Sequence, residues 1–365
     1  MKLPLSIGRY LAKTYIQWFI TLYLSIMLLV GLVDLTELLR QASSKPHVTA
    51  IIITKLLFLH LPFLSTKLTP FVILFTTFMV LWKLNSSNEL TVMRAAGMSI
   101  REILFPLLLT VLSIGCFELF IFNPIASIMT ERYEHIKSYQ FHGKPKNFTV
   151  SQSGMWVRHA KDYLLIVVKF KGIDLKKKDL QDVMILQYDD QKEFHTRYHA
   201  KKLKFASNET LLLEDGWIIP RLGEIKKFKT LELKNDLDIS IIQNSQPKPE
   251  TISFWQLQDY IKRLKVSGLS GLAYTLHWHS LMAQVVLLLA MVLLAGAFSF
   301  KPLRQGGIML LVSAGLSIGF ILYILRDVTL ALGSVGTLPA FISAWIPSVI
   351  SFLCGTALVI YQEDG

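Results

Sequence analysis

Six stretches of this chain are apolar over about the length a helix needs to cross a bilayer, and one long middle segment is not. The first covers residues 14–33 and has no Asp, Glu, Lys or Arg between Lys13 and Asp34. A secretory signal peptide has a shorter apolar region and a small-residue cleavage site, so this run reads as an uncleaved crossing helix. The second covers residues 56–82 but contains Pro62, Lys67 and Pro70. It predicts a helix that starts near Thr49, kinks near Pro62 and crosses to about Trp82. The third, residues 103–123, carries Glu118. The others are residues 277–300, 305–325 and 338–361. Six crossings put both termini on one side.

Between residues 124 and 271 the period changes. Residues 125–141 continue the third span as a helix. From Thr149 come short runs rich in Val, Ile, Tyr and Phe, at 155–158, 163–170, 183–188, 198–205, 210–219 and 228–234. Turn clusters such as Lys171-Gly172 and Glu214-Asp215-Gly216 punctuate them. This reads as an all-β, jelly-roll-like domain. Pro247-Lys-Pro249 closes it, and residues 253–266 form an amphipathic helix with Phe254, Leu257, Ile261 and Leu264 on one face. Residues 267–271 lead back to the membrane. The expected organisation is therefore 1–123 with three transmembrane helices, 124–271 with the β-domain, and 272–365 with three more.

Composition agrees with this division. The chain is 52% hydrophobic and only 18% charged, against about 25% charged in soluble domains. Orientation follows from short loops. An internal N-terminus places Lys2, Arg9, Lys13, Lys83, Arg94, Arg101, Lys301 and Arg304 in the cytoplasm, against Arg40, Lys45, Lys55 and Arg326 outside. The β-domain is then periplasmic. The net charge of +12 comes without a compact basic patch interleaved with aromatics, so it points to lipid and not to nucleic acid.

The candidate chemistry is sparse. No phosphate-binding loop, nucleophile elbow or His-Glu-x-x-His motif occurs, and Cys116 and Cys354 both lie in apolar runs. The pairs His277/His279 and His195/His199 each lack a third ligand nearby, and Glu131, Glu134 and His135 read as a solvated helix face, so no metal site is expected. Charges inside spans carry more weight, because each costs a few kcal/mol at the bilayer centre (about 2.5–3.5 on insertion scales). Arg40 and Lys67 are therefore candidates to meet acidic lipid head groups in a cavity. Gly315-x-x-x-Gly319 would let a neighbouring helix approach closely, as a subunit contact or a moving gate.

The segment between spans two and three, about residues 86–97, is the most informative. Ser86 or Ser87 can cap a short helix with Glu89 in its first turn, Leu90, Met93 and Arg94 on its surface, and Gly97 at its end. A permease offers such a helix to a separate ATPase.

The string Asn88-Glu-Leu-Thr-Val-Met-Arg-Ala-Ala-Gly97 resembles the coupling helix of the LptF/LptG permeases. The resemblance extends along the chain. Ile7-Gly-Arg-Tyr10 is similar to the family's opening, Asp34-Leu-Thr-Glu-Leu-Leu-Arg40 falls where span one ends, and Glu118-Leu-Phe-Ile-Phe-Asn-Pro124 is similar to the exit from span three. Phe300-Lys-Pro-Leu-Arg304, Ser317-Ile-Gly-Phe-Ile-Leu-Tyr323 and Gly336-Thr-Leu-Pro-Ala-Phe-Ile-Ser-Ala-Trp-Ile-Pro347 resemble the LptG branch more than LptF. The resemblance implies an inner-membrane exporter that takes lipopolysaccharide toward a periplasmic bridge. It implies LptF as paired permease, two copies of the ATPase LptB, and LptC as a further partner. ATP and Mg would be used by the ATPase, with no cofactor on this chain. Glu89, Leu90, Met93, Arg94 and Gly97 are the matched coupling residues. The chain departs from the LptG pattern after span one, where Arg40 alone is basic among Asp34 and Gln41.

A lipoprotein-release type of permease would carry its large outer domain after the first of four spans, which this chain does not. An intramembrane enzyme would need clustered acids or histidines, and Glu118 stands alone in the sequence.

Overall fold

A computed structural model of the chain describes residues 5–43, 45, 48–142, 148–151, 154–161, 164–170, 172–174, 179–188, 194–207, 210–221, 223–234, 246–266, 269–300 and 307–364. The chain forms two compact units. One comprises Met1–Phe141, Glu250–Trp255 and Leu272–Gly365, the other His142–Pro249 and Gln256–Gly271.

The first unit is helical: α1 (Leu5–Ala42), α2 (Ala50–Ser86), α3 (Glu89–Ala95), α4 (Ile100–Phe117), a π-turn (Glu118–Phe122), α5 (Asn123–His142), the start of α6 (Phe254–Val266), α7 (Leu272–Ser299), α8 (Gly307–Ser334) and α9 (Ala340–Asp364). Six of its helical segments are long and apolar enough to cross a membrane. The first three exceed the apolar runs of the sequence at both ends, α7 starts earlier than its run, and α8 and α9 end later than theirs, because a helix continues through polar residues once its hydrogen bonds are propagating. Thus α1 extends from Leu5 to Ala42, and α8 reaches Ser334 and includes Arg326, which the sequence reading had placed outside the span. Lys301 and Arg304 of the Phe300–Arg304 string lie outside the described residues, as do residues 267–268.

α2 runs unbroken through Pro62 and Pro70. Proline has no N–H, so Pro70 leaves the Thr66 carbonyl without a helical donor. Gln284 of α7 supplies one, with its Nε2 at 2.9 Å from Thr66 O. Pro124 does the same to the Phe120 carbonyl, which accepts from Trp255 Nε1 at 3.2 Å. The π-turn that precedes Pro124 is where such helices absorb an extra residue. α4 opens on a capping box, with the Ser99 hydroxyl accepting from Glu102 N and Ser99 N donating to the Glu102 carboxylate.

The core of this unit joins Leu11 and Tyr15 of α1, Ile73, Leu74 and Leu81 of α2, Leu104 of α4, Leu288 and Met291 of α7, and Val359 of α9. Tyr15 is fully buried, with its hydroxyl 3.0 Å from Thr77 Oγ1. At one end of the bundle Arg101 pairs with Glu363 near the C-terminus, and Gln362 bonds the Ala297 carbonyl. The start of α4 and the ends of α7 and α9 therefore meet there.

The second unit is an antiparallel sheet. Its strands are β1 (Phe148–Ser151), β2 (Gly154–Lys161), β3 (Leu164–Phe170), β4 (Gly172–Asp174), β5 (Asp179–Tyr188), β6 (Phe194–Ser207), β7 (Thr210–Pro220) and β8 (Lys226–Lys234). They pair in the order β1-β2-β3-β5-β6-β7-β8, with β4 on β5. The all-β expectation holds, and sequential neighbours pair as in a meander. Alternate residues face inward: Val168 and Phe170, Val183 and Ile185, Leu211 and Leu213 are all buried. Glu214-Asp215-Gly216, expected as a turn, lies inside β7. Asp215 has φ 58°, and a Cβ on Gly216 would stand 2.1 Å from the His199 carbonyl oxygen, so only glycine fits. Lys201 Nζ meets Asp215 at 2.9 Å. That contact raises the Lys201 pKa and lowers that of Asp215. In α6, Leu257, Ile261 and Leu264 are buried as the amphipathic pattern predicts.

A coupling segment and a cavity within the spans

The segment between α2 and α4 is a helix of seven residues, Glu89–Ala95. Its N-cap is Asn88, in the left-handed region at φ 59°, and not Ser86 or Ser87 as the sequence suggested. Ser86 ends α2, and Ser87 instead donates its hydroxyl to Glu89 Oε1 at 2.8 Å. At the other end Gly97 has φ +84°, Gly97 N donates to Arg94 O, and Met98 N donates to Met93 O. This is a Schellman motif, and the left-handed position is why glycine stands there. A Cβ on Gly97 would touch nothing within 4 Å. Gly97→Ala is therefore expected to cost only the backbone strain, about 1 kcal/mol. Thermal unfolding of the purified protein checks this, and a loss several times larger would mean that Gly97 has an unseen steric role.

The faces of α3 divide differently from the expectation. Leu90 is 5% exposed and belongs to the helical core, with Met93 packed against the same core. Leu90 is thus an anchor and not an exposed knob. A seven-residue helix must turn about two residues in seven inward, and Leu90 and Met93 at i, i+3 are that pair. The large apolar side chain left in solvent is Val92, at 67% exposure, flanked by exposed Thr91 and Arg94. Sequence reasoning missed Val92, although its position two residues after Leu90 on a helix already places it on the opposite face.

Arg40 lines neither of the two spaces described below. Its guanidinium holds Glu37 in a two-point contact at 2.8 and 2.9 Å, and its side chain is 77% exposed. The helical i, i+3 spacing of Glu37 and Arg40 favours this local pair over a distant ligand. Gly315 and Gly319 do meet a neighbouring helix closely. A Cβ on Gly315 would stand 2.9 Å from Phe78, and one on Gly319 would stand 2.9 Å from Phe71. The glycine stripe of α8 therefore seats the aromatic ridge of α2 within the same chain.

Lys67 does line a cavity. Two adjoining spaces share Lys67, Arg326 and Leu330 as walls. One has Thr66, Ser127, Thr130, Ser280 and His277 around it. The other has Phe71, Leu287, Met291 and Leu322 around it. Lys67 Nζ lies 4.4 Å from the centre of the Phe63 ring.

Behind the first space runs a hydrogen-bonded chain that the sequence did not reveal. Gln284 Nε2 donates to Glu118 Oε1 at 3.1 Å as well as to Thr66 O, and Gln284 Oε1 accepts from Arg326 Nη2 at 3.1 Å. One glutamine thus joins α2, the π-turn, α7 and α8. Glu118 is isolated only in sequence. Among the described residues no group of three His, Cys, Asp or Glu side chains comes close enough to hold a metal.

Residues 9–361 match the family model described as lipopolysaccharide export system permease LptF/LptG. The chain is similar to the lipopolysaccharide export system permease protein LptG of Escherichia coli strain K12, at 22% identity over 98% of each chain. It is also similar to the protein of that name from Haemophilus influenzae, at 22% identity over 94% of this chain and 95% of the relative. With nearly every residue of the 365 inside the match, the chain belongs to the LptF/LptG family of lipopolysaccharide export permeases, multi-pass inner-membrane transport proteins and not enzymes.

Proposed function

We propose that this chain is the LptG-type permease of an exporter that draws lipopolysaccharide out of the inner membrane, driven by a separate ATPase. The observation that carries the reading is α3. It is short, capped at its end by Gly97, and anchored by Leu90 in the span core, while Val92 and Arg94 stand in solvent. A helix fixed to the spans on one face and open on the other can pass a push from a partner into the bundle. Glu89, with its carboxylate in the first turn, orients the helix and offers charge to a basic partner residue.

The partners this reading requires are two copies of the ATPase LptB, an LptF-type paired permease, LptC and lipopolysaccharide. ATP and Mg act on the ATPase, and no cofactor is assigned to this chain. The LptG-named relatives and the C-terminal resemblance support LptG over LptF. Lys67 is the lipid-contacting residue of the original pair that the reading retains; Arg40, held by Glu37, is not.

Topology is tested with fused reporters. A reporter near Asn208 is expected to behave as periplasmic, and one at Gly365 as cytoplasmic. A cytoplasmic β-domain would overturn both the orientation and the route by which lipid leaves. Assembly is tested by purification of the tagged chain. It is expected to bring down a small P-loop ATPase and a second six-span permease, and recovery alone would contradict the reading.

A further inference from the structure

Two charges stand at helix ends where the backbone field opposes them. Arg101 is in the first turn of α4, and Glu363 is in the last turn of α9. A helix favours acids at its start and bases at its end, so each of these helices disfavours the charge it carries. The two charges meet: Arg101 Nε donates to the Glu363 carboxylate. The preceding residue makes a second tie. Gln362 Nε2 donates to the Ala297 carbonyl, at the end of α7, where a helix leaves its carbonyls without donors of their own. Adjacent side chains of α9 therefore hold α4 and α7 at once. α9 and α7 are also in close contact below this point, since a Cβ on Gly355 would stand 2.8 Å from Leu293 Cβ and 3.3 Å from the Leu294 amide nitrogen.

The other end of this linkage is α3. Residues 96–99 alone separate α3 from α4, and both sides of that connection are fixed. Met98 N donates to Met93 O, and Ser99 caps α4 in its box with Glu102. A displacement of α3 is thus delivered to the first turn of α4, where Arg101 stands. We infer that Arg101 and Glu363 are positioning residues for export, a strut that hands this displacement from α4 to α9 and, through Gln362, to α7. The strut rests on the reading of α3 as the helix that the ATPase moves. Apolar packing lets helix ends slide past one another, whereas an N–H aimed at a carboxylate fixes their relative position. The Arg101 side chain is 59% exposed, and an ion pair so exposed adds little to stability. What the pair contributes is position.

The full chain, assembled with its paired permease and ATPase in proteoliposomes that hold lipopolysaccharide, provides the test. ATP hydrolysis and release to an external acceptor are measured together. Arg101→Glu and Glu363→Arg should each leave ATPase binding and thermal unfolding near those of the parent, because each puts at its helix end the charge that end prefers. Each should nevertheless lower the lipopolysaccharide released per ATP by roughly fivefold or more, the lower end of ordinary coupling between sites. Arg101→Gln and Glu363→Gln remove the contact without a like-charge clash and should fall in the same direction. The double variant Arg101→Glu with Glu363→Arg restores opposite charges across the contact and should recover most of the release per ATP. A merely structural role for either residue would not produce that recovery. Unchanged release per ATP in the single variants would overturn the strut, and so would a double variant no better than the worse single one. Loss of ATPase binding in Arg101→Glu that Glu363→Arg does not repair would make Arg101 a contact of the ATPase and also overturn it. Val92→Asp in the same preparations separates the two readings. If it loses release while the strut variants keep theirs, the strut falls and α3 stands. If it keeps full release, it is the reading of α3 that fails.

Discussion

Gln284→Leu is expected to destabilise the inserted protein by roughly 2–4 kcal/mol, more than any other substitution of one uncharged residue in the spans. A single interhelical hydrogen bond in a membrane protein averages only about 0.6 kcal/mol. Gln284, however, ends three contacts at once. Leucine would leave the Thr66 carbonyl without a donor, because Pro70 cannot supply one, and would strip Glu118 and Arg326 of their common bridge. Breaking a buried polar set by removing one member leaves the others uncompensated, and that is where the large cost arises. Unfolding of the purified protein in mixed micelles measures it. A loss below about 1 kcal/mol would mean that water takes the place of the amide and that the bridge is not structural.

The second large effect concerns α3, where position and not composition decides the outcome. Val92→Asp touches nothing in the core, so stability should stay within about 0.5 kcal/mol of the parent. ATP-driven transport should nevertheless fall steeply, because a carboxylate would enter the exposed apolar face of α3. Leu90→Ala should do the reverse first, with a loss of about 2–5 kcal/mol in stability as its core contacts go. Glu89→Lys should weaken ATPase association by roughly 2–5 kcal/mol if the carboxylate is desolvated against a basic partner group. It also loses the Ser87 contact within this chain, so insertion level is the necessary control. A Val92→Asp protein with full transport would remove α3 as the contact, whatever Glu89→Lys does.

The sequence was legible where one physical signal dominates. Long apolar runs located six helices, and alternation located the strands, because burial in lipid and burial in a sheet face leave different periods. Gly97 was legible for a different reason: a left-handed position after a short helix has few other solutions. What failed were statements that need a partner's location. Whether Leu90 or Val92 faces solvent depends on how α3 lies against α2 and α4. Which helix Gly315 and Gly319 seat within the chain depends on Phe71 and Phe78, nearly 250 residues earlier. Arg326 was read as a loop charge because the apolar run stops at Leu325, yet α8 carries it inward to Gln284. One clue did exist. Pro70 and Pro124 each announce a carbonyl in need of a donor, and a search for long polar side chains in other spans would have raised Gln284.

The central claim is that this chain transports lipopolysaccharide on energy delivered by a separate ATPase through α3. Proteoliposomes that hold the chain with its paired permease and ATPase, and are loaded with lipopolysaccharide, test it directly. Release to an external acceptor is followed with and without ATP, in the parent and in Val92→Asp. The account predicts ATP-dependent release from the parent, and ATPase-bound but release-deficient complexes, or failed association, in the variant. Release without the ATPase, or ATP-dependent release undiminished by Val92→Asp, would contradict it.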